Sequence, residues 1–352
     1  MKEKLKKVVK KVIGKITNRE EKPNLSQEEI FRQGYDAFLK TGQTPHDAFM
    51  ANINLFCSTN GVFNEAFNDE LKLTNPPQPV PETLQGIAGT YTHNDFIKVN
   101  QELNEKGYVH FEKKLSKELC ERLYNYALNA PARIPPDYKE IIKFNPDKPL
   151  AEIYRLDIQD LVNNADIQQL MIDPVLVNFA RNYLGCEPIF DFPAMWWSTA
   201  FKKEASKEAA QLYHFDLDRV KWLKIFFYIN EVTPENGPHC YIEGSHKPNA
   251  KPAELLKRAY ARIPDEDLKP YYKPEAFKVA CGEAGSMFIG DTKAWHKGMA
   301  LKKGHRLVLE LEYTSSLFVA NYPKLEVVQA SAGFKEFCAK NKTFATNIHF
   351  KN

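Results

Sequence analysis

The chain has 352 residues, of which 43% are hydrophobic, so it is long enough to bury a large core. Its 48 basic residues nearly balance its 45 acidic ones, which argues against a protein whose whole surface binds nucleic acid. The six cysteines include no CxxC pair, which argues against a zinc ribbon or a disulfide framework and favours a reducing compartment.

The first segment, residues 2–17, is basic and amphipathic, with apolar residues on one helical face and lysines over the rest. Two interpretations stay open: a helix that lies on an anionic membrane surface, or a terminal helix with a solvated face. Lysines interrupt the segment throughout, so it lacks the apolar centre of a signal peptide. No later stretch reaches the roughly 20 apolar residues of a membrane span. We therefore expect a cytoplasmic protein, in peripheral contact with membrane if the first interpretation holds.

Two short helices are predicted next. Ser26 and Glu29 have the spacing of a capping box, which predicts a helix over residues 30–39. Pro45 stands at a second start signal and predicts a helix over residues 48–56. These helices form an extension that precedes the rest of the fold.

A proline-rich stretch, residues 74–81, follows these helices and is typical of an extended connector. We place a domain boundary after it. Residues 1–90 are predicted to form a helical N-terminal extension, and residues 91–352 are predicted to form the main domain.

The main domain alternates helix signals with short apolar runs bounded by glycine and proline. Residues 247–278 are rich in lysine, arginine, tyrosine and proline, with one helical patch at 253–261, and predict a lid inserted between strands. The pattern favours a mainly β fold with flanking helices, a double-stranded β-helix (jelly roll, cupin-like). The predicted elements are helices at 95–106, 116–128 and 173–184, and strands at 108–111, 188–199 and 222–229; residues 282–290 lead into a further strand that holds His296.

A histidine and a carboxylate stand two residues apart at His214 and Asp216, just before the apolar run 222–229. Residues two apart on a strand share a face, so both side chains can point at one metal ion. Imidazole and carboxylate together suit Fe(II), and one more histidine would complete a facial triad with three open coordination positions.

Several histidines compete to be the third ligand. We favour His296, because Arg306 follows it by ten residues at the start of a predicted strand. His246 lies in a turn, and His305 points to the opposite face from its neighbour Arg306. His239 is the strongest rival, since it follows the first pair after one short strand.

Two other pairs have similar spacing. His93 and Asp95 sit at a predicted helix start, where Asn94 or Asp95 is more simply a cap. His110 and Glu112 are followed at once by another helix start, with no histidine and arginine close behind. We expect neither pair to bind a metal.

In these features the sequence resembles the phytanoyl-CoA dioxygenase family of Fe(II)/2-oxoglutarate oxygenases. The family also has a His-x-Asp pair, a distal histidine and an arginine about ten residues later. The helix, Gly-Tyr-Val and helix order near Gly107 and the turn from Asn236 to His246 are similar too. The resemblance covers roughly residues 95–315.

The resemblance implies a site and a reaction. His214, Asp216 and His296 would bind iron, and the guanidinium of Arg306 would clamp the C5 carboxylate of 2-oxoglutarate. The implied reaction consumes O2, releases succinate and CO2, and hydroxylates an unactivated C–H bond. Related halogenases have a small residue where Asp216 stands, so hydroxylation is expected here and halogenation is not.

One position departs from the family. Many members have serine or threonine two residues after the distal histidine, where this chain has Gly298. We expect Trp197, Ser198 and Gln211, on or beside the preceding strand, to help bind the co-substrate instead. An aromatic wall of Trp196, Trp197, Phe226 and Phe227 would keep the cavity dry.

The substrate is expected to be a small molecule or a lipid- or glycan-linked one. Basic residues of the lid suggest that it is anionic, namely Lys247, Lys251, Lys257, Arg258, Arg262 and Lys273. Two alternatives stay open: a cupin-like metal enzyme that does not use 2-oxoglutarate, and a non-catalytic binding protein on a jelly-roll scaffold. For Arg306 itself, the alternative is a strand residue paired with Glu310 or Glu312 on the surface.

Overall fold

A computed structural model describes residues 25–202, 205–207, 209–259 and 261–351. The amphipathic segment predicted at residues 2–17 lies outside these ranges. The helices are α1 (Gln27–Thr41), α2 (His46–Thr59), α3 (Val62–Thr74), α4 (His93–Lys106), α5 (Lys117–Asn129), α6 (Ile158–Val162), α7 (Ala165–Met171), α8 (Pro174–Leu184), α9 (Ala253–Leu256), α10 (Asp265–Leu268) and α11 (Ala332–Lys340).

The strands are short apart from two at the centre of the fold. They are β1 (Thr83–Gly86), β2 (Gly89–Thr92), β3 (Tyr108–Lys114), β4 (Pro131–Arg133), β5 (Ile141–Lys143), β6 (Ile153–Leu156), β7 (Ile189–Thr199), β8 (Trp222–Tyr228), β9 (His239–Ile242), β10 (Phe277–Ala280), β11 (Ser286–Gly290), β12 (His296–Gly298), β13 (His305–Thr314), β14 (Leu325–Val327) and β15 (Ile348–Phe350).

Two antiparallel sheets form the main domain. The larger sheet has the strand order β3-β11-β8-β13-β7-β6-β4-β5, and the smaller has the order β10-β9-β12. A bridge between His214 and His296 adds the segment around residue 214 to the free edge of β12. Strands facing each other in this order are a double-stranded β-helix, so the predicted fold class is confirmed.

The two faces of the large sheet have different neighbours. Helices cover its outer face, where Trp197 and Phe227 join a large apolar cluster with α5 and α8. Trp196 and Phe226 belong instead to a cluster on the inner face, toward the smaller sheet. Adjacent residues of a strand point to opposite faces, so each pair is divided between the helix layer and the interior.

Capping signals in the sequence predicted most of the helix starts correctly. The Ser26–Glu29 capping box opens α1 with both reciprocal hydrogen bonds. At α4 the cap is Thr92, and Asp95 is its reciprocal partner, so the predicted cap at Asn94 or Asp95 was wrong by up to three residues. Helix α3 was not predicted, because its N-cap is Gly61, which has no side chain to provide a capping signal.

Two further differences concern short elements. The helical patch predicted at 253–261 is one helical turn, Ala253–Leu256, followed by a separate turn at Asp265–Leu268. The hairpin of β1 and β2 was not predicted. Among the described residues, every helix is too short or too polar to span a bilayer.

The N-terminal helices pack directly on the main domain. Phe31 lies edge-on to Phe318, and Phe56 contacts Phe215 beside the metal-ligand segment. The boundary near residue 90 stays a prediction, and these contacts give the extension and the main domain a shared core.

Helix α3 also carries a charge into that core. The carboxylate of Glu65 accepts hydrogen bonds from Lys221, at 3.0 Å, and from Lys293, and both lysines are buried. Burial alone would raise the pKa of Glu65, but the charges of Lys293 and Lys221 outweigh it and hold this pKa well below its usual range. Glu65 is therefore shared by two buried cations behind the site, and Asp291 also pairs with Lys293 at 3.4 Å.

We expect Glu65→Gln to lower the free energy of unfolding by about 3 kcal/mol at neutral pH, because two buried lysines lose a carboxylate. A carboxyl whose pKa is depressed by folding stabilises the protein above its unfolded pKa of about 4.3, and this contribution is lost as the pH falls below it. The difference between wild type and variant should therefore shrink in acid. Urea unfolding at several pH values measures both effects.

Glu70→Gln is the matched control on the same helix. Glu70 pairs with Arg32 on the surface, where both side chains are about half exposed. Its loss should cost less than about 1 kcal/mol. Equal effects of the two substitutions would contradict the assigned role of Glu65.

Candidate functional site

A cavity of about 260 Å³ lies between the two sheets. The inner faces of β7, β8 and β13 form one wall, and β12 with the segment around residue 214 forms the other. The predicted residues His214, Asp216, His296 and Arg306 all line this cavity. Concave sites with convergent polar groups are where small ligands bind.

His214, Asp216 and His296 come together in the cavity. One ligand atom from each lies within 4.8 Å of the others, and all three residues are buried. Nε2 of His214 is 3.9 Å from one carboxylate oxygen of Asp216, and Nε2 of His296 is 3.7 Å from the other. Two imidazoles and one carboxylate in this arrangement can form three ligands on one face of a metal ion.

Backbone pairing fixes the three residues. His214 and His296 form an antiparallel bridge with N–O distances of 3.0 and 2.8 Å, so their side chains share a face. The amide of Asp216 donates to the carbonyl oxygen of Thr292 at 2.9 Å, which holds the residues after His214 against the segment before β12. Asp216 lies two residues after His214 and therefore points to the same side.

Each histidine is oriented by a carbonyl oxygen two residues before it. Nδ1 of His214 is 3.0 Å from the oxygen of Leu212, and Nδ1 of His296 is 3.0 Å from the oxygen of Ala294. A carbonyl only accepts, so Nδ1 carries the proton in both rings and Nε2 presents its lone pair. Burial lowers the pKa of both imidazoles, which favours the neutral form that binds metals.

Lys224 on β8 is a charged residue of the site that the sequence analysis missed. Its ammonium lies 3.0 Å from the second oxygen of Asp216, 3.4 Å from Glu310 and 3.3 Å from Glu312. All four groups are buried. The sequence did contain a signal for it. Lys224 is a lysine inside an apolar strand, and Glu310 and Glu312 stand two residues apart in another apolar strand.

These charges determine the protonation of the group. Burial would lower the pKa of Lys224, but Asp216, Glu310 and Glu312 hold it well above its usual value. Burial would raise the pKa of Asp216, but Lys224 and the two histidines hold it well below its usual value. Asp216 is therefore a carboxylate, the form that a metal ion requires.

Arg306 lies inside the cavity, with 3% of its surface exposed. Its Nη2 donates to the hydroxyl of Ser198 at 3.2 Å, across the paired strands β13 and β7. Its Nε and Nη1 are buried and have no hydrogen-bond partner among the described residues. The alternative of a surface pair with Glu310 or Glu312 is therefore wrong, because both glutamates bind Lys224.

Gly298 explains how the guanidinium fits. A Cβ at this position would lie 3.1 Å from Nη2 of Arg306, which is closer than ordinary side-chain contacts. The family's serine or threonine is thus replaced by a residue that leaves room for the arginine. A buried guanidinium with unpaired donors fits a carboxylate, the group at the far end of 2-oxoglutarate.

Two other predicted co-substrate residues are placed elsewhere. Trp197 points to the outer face of β7, where its ring stacks on Phe144 at 4.4 Å, so it does not line the cavity. Gln211 is buried, but its side chain accepts a hydrogen bond from the amide of Ser206 and holds a loop together. Of these residues, only Ser198 touches a group predicted to bind the co-substrate.

Two of the four residues predicted to form the aromatic wall line the cavity, and the other two do not. Trp196 and Phe226 line the cavity. Trp197 and Phe227 pack under the helices, because the side chains of a strand alternate between its faces.

The rival histidines have other contacts. His239 lines the cavity, but its Nδ1 lies 3.1 Å from the hydroxyl of Tyr228 and it is not part of the group of three. His246 contacts the carbonyl oxygen of Asn104, and His305 contacts the hydroxyl of Tyr124 on the outer face.

The basic residues of the predicted lid do not act together. Arg262 is the one among them that lines the cavity. Lys251 is buried against the rings of Phe56, Phe215 and Trp295, and burial lowers its pKa to about 7. Lys251 is therefore part of the core and not of a basic surface.

Comparison with known proteins adds a family and several structures. The profile described as phytanoyl-CoA dioxygenase (PhyH) matches residues 103–304, more than half of the chain. No curated protein matches the sequence. HygX from Streptomyces hygroscopicus, solved with nickel and 2-oxoglutarate, is 16% identical with a TM-score of 0.47 over 70% of this chain and 94% of its own. The alpha-ketoglutarate-dependent epimerase SnoN from nogalamycin biosynthesis is 14% identical with a TM-score of 0.46 over 62% and 82%.

We expect Lys224→Met to lower the free energy of unfolding by about 3–5 kcal/mol, because three buried carboxylates lose their shared cation. Lys224→Arg keeps the charge and should retain most of the stability. Exposed Lys302→Met, as a control, should change it by less than about 0.5 kcal/mol. Chemical denaturation of the metal-free proteins measures all three, and a Lys224→Met protein as stable as wild type would contradict the described charge pairing.

Proposed function

The chain belongs to the phytanoyl-CoA dioxygenase family, and on this basis we propose that it hydroxylates an unactivated C–H bond of its substrate. Its cofactors are iron and 2-oxoglutarate. When bound, the two together activate O2 for attack on a C–H bond, with release of succinate and CO2. The residues of this chain bind the iron and orient the co-substrate.

The observation that carries the proposal is the group of His214, Asp216 and His296. We assign these three residues as the iron ligands, because their donors converge from one face and leave the opposite face open. Both imidazoles are held in the required tautomer by backbone carbonyl oxygens. The site is thus organised by the backbone before any metal binds.

Arg306 is assigned to the C5 carboxylate of 2-oxoglutarate. Its Nε and Nη1 are buried donors without partners, while Ser198 holds Nη2 in place. A guanidinium in this position binds a carboxylate through two parallel hydrogen bonds and thereby orients the co-substrate toward the three ligands.

Two further features support oxygenation of a C–H bond. Trp196 and Phe226 form an apolar part of the wall, which limits water near the reacting groups. Asp216 fills the position that is a small residue in related halogenases, which favours hydroxylation. The substrate proposed here is a small molecule or a lipid- or glycan-linked one.

The assignment of Arg306 predicts a selective loss of co-substrate binding. We expect Arg306→Lys to weaken 2-oxoglutarate binding by roughly 10- to 100-fold and to leave Fe(II) affinity unchanged, because an ammonium cannot form the paired hydrogen bonds. An anaerobic titration with Fe(II) and then 2-oxoglutarate, followed by the visible charge-transfer band, separates the two steps.

Histidine variants complete the same experiment. His214→Ala should abolish Fe(II) binding, while His110→Ala, outside the cavity, should bind as wild type does. Unchanged 2-oxoglutarate binding in Arg306→Lys would contradict the assignment of Arg306, whereas a wild type that binds Fe(II) but not 2-oxoglutarate would favour the cupin-like alternative. Failure of the wild type to bind Fe(II) would favour a non-catalytic binding protein.

A further inference from the structure

Two more arginines face the cavity and have no assigned role. Arg155 comes from the inner face of β6, and Arg262 comes from the segment 247–278. The other cations there are accounted for: Lys224 lies among carboxylates, and Arg306 is assigned to 2-oxoglutarate. A guanidinium keeps its charge at any physiological pH, so one with buried N–H groups left without acceptors is suited to bind an anion.

Arg155 lies over the indole of Trp196, with its guanidinium carbon 5.6 Å from the ring centre. Its Nε is buried without a hydrogen-bond partner in the described part of the chain. The ring holds the guanidinium plane in position but offers no acceptor for its N–H groups. Arg155 thus lines the cavity and has an N–H group, at Nε, that is free to bind an acceptor.

Arg262 lies beside the metal ligands. The bridge between Tyr213 and Ile263 places residues 214 and 262 opposite each other, so their side chains share a face. Nη1 of Arg262 is buried and unpaired among the described residues. Asp216 supplies one negative charge beside the metal site, and a further anion in the cavity would reduce the repulsion between Arg262 and a bound metal dication.

Beyond the metal ligands, the cavity wall has a polar part beside the apolar part formed by Trp196 and Phe226. The polar part is formed by Asp218, Lys224, Glu310 and Tyr322. An alkyl chain placed against these groups would remove their water without replacing its hydrogen bonds. Hydroxyl groups can donate to the carboxylates and accept from the ammonium, so they suit this wall.

We propose that the cavity binds a hydroxylated substrate bearing a carboxylate or phosphate, and that Arg155 and Arg262 are the residues that bind its anionic groups. This inference rests on the proposed function, because it places the substrate beside the iron site. It extends that function by excluding a plain acyl chain from the cavity.

Three sugars with the same ring test the charge requirement: glucose, glucuronate and glucose 6-phosphate. Calorimetry measures the binding of each to the anaerobic Fe(II)–2-oxoglutarate protein. We expect at least one anionic sugar to bind about tenfold or more tightly than glucose, since a charged hydrogen bond contributes about that factor. The better of the two identifies carboxylate or phosphate as the group recognised.

Arginine variants test the residues. Arg155→Gln and Arg262→Gln should each weaken binding of the anionic sugar about tenfold or more, while glucose binding changes little. The controls are Arg133→Gln, on the neighbouring strand and near Asp157, and Arg258→Gln, in the same segment as Arg262 and paired with Asp267. Arg155→Lys keeps the charge and should bind more tightly than Arg155→Gln.

The binding measurements can overturn either the proposed anionic substrate or the assignment of each arginine. The proposed substrate is overturned if neither anionic sugar binds more tightly than glucose, or if octanoate binds more tightly than both. A variant that binds the anionic sugar as wild type does, or that loses 2-oxoglutarate binding instead, removes that arginine from the assignment. Failure of 2-oxoglutarate to bind the wild type, which the same calorimetry measures first, would overturn the proposed function instead.

Discussion

The site depends on one backbone contact, the antiparallel bridge between His214 and His296. These residues are far apart in the chain, and the bridge brings their side chains to the same face of the smaller sheet. Asp216 follows on that face because it is two residues along the same extended segment. The metal-binding geometry is therefore a consequence of strand pairing, and carbonyl oxygens at Leu212 and Ala294 orient the rings.

Charge balance is the second constraint on the interior. Lys224 is shared by Asp216, Glu310 and Glu312 on one side of the site, and Glu65 on helix α3 is shared by Lys221 and Lys293 behind it. Because these buried charges are paired, the fold can tolerate them beside a partly polar cavity. The arginines that remain unpaired are then the residues available to bind carboxylates or phosphates, with Arg306 the most completely buried example.

Much of this site is readable from the sequence, and the part that is not has a physical reason. Spacing placed His214 and Asp216 on one face, and the arginine ten residues after His296 favoured that histidine as the third ligand. The sequence did not show which residues of β7 face the cavity, because both faces of this strand are largely buried. Trp197 was therefore assigned to the wrong face. Lys224 was missed because its partners lie on another strand, and only the register of β8 against β13 brings them together.

The most direct test of the account is a crystal structure of the protein with iron and 2-oxoglutarate, with iron located by anomalous diffraction. The account predicts one peak bound by Nε2 of His214, Nε2 of His296 and a carboxylate oxygen of Asp216. It also predicts the C5 carboxylate of 2-oxoglutarate on the guanidinium of Arg306. Iron bound through His239 in place of His296, or 2-oxoglutarate turned away from Arg306, would contradict it.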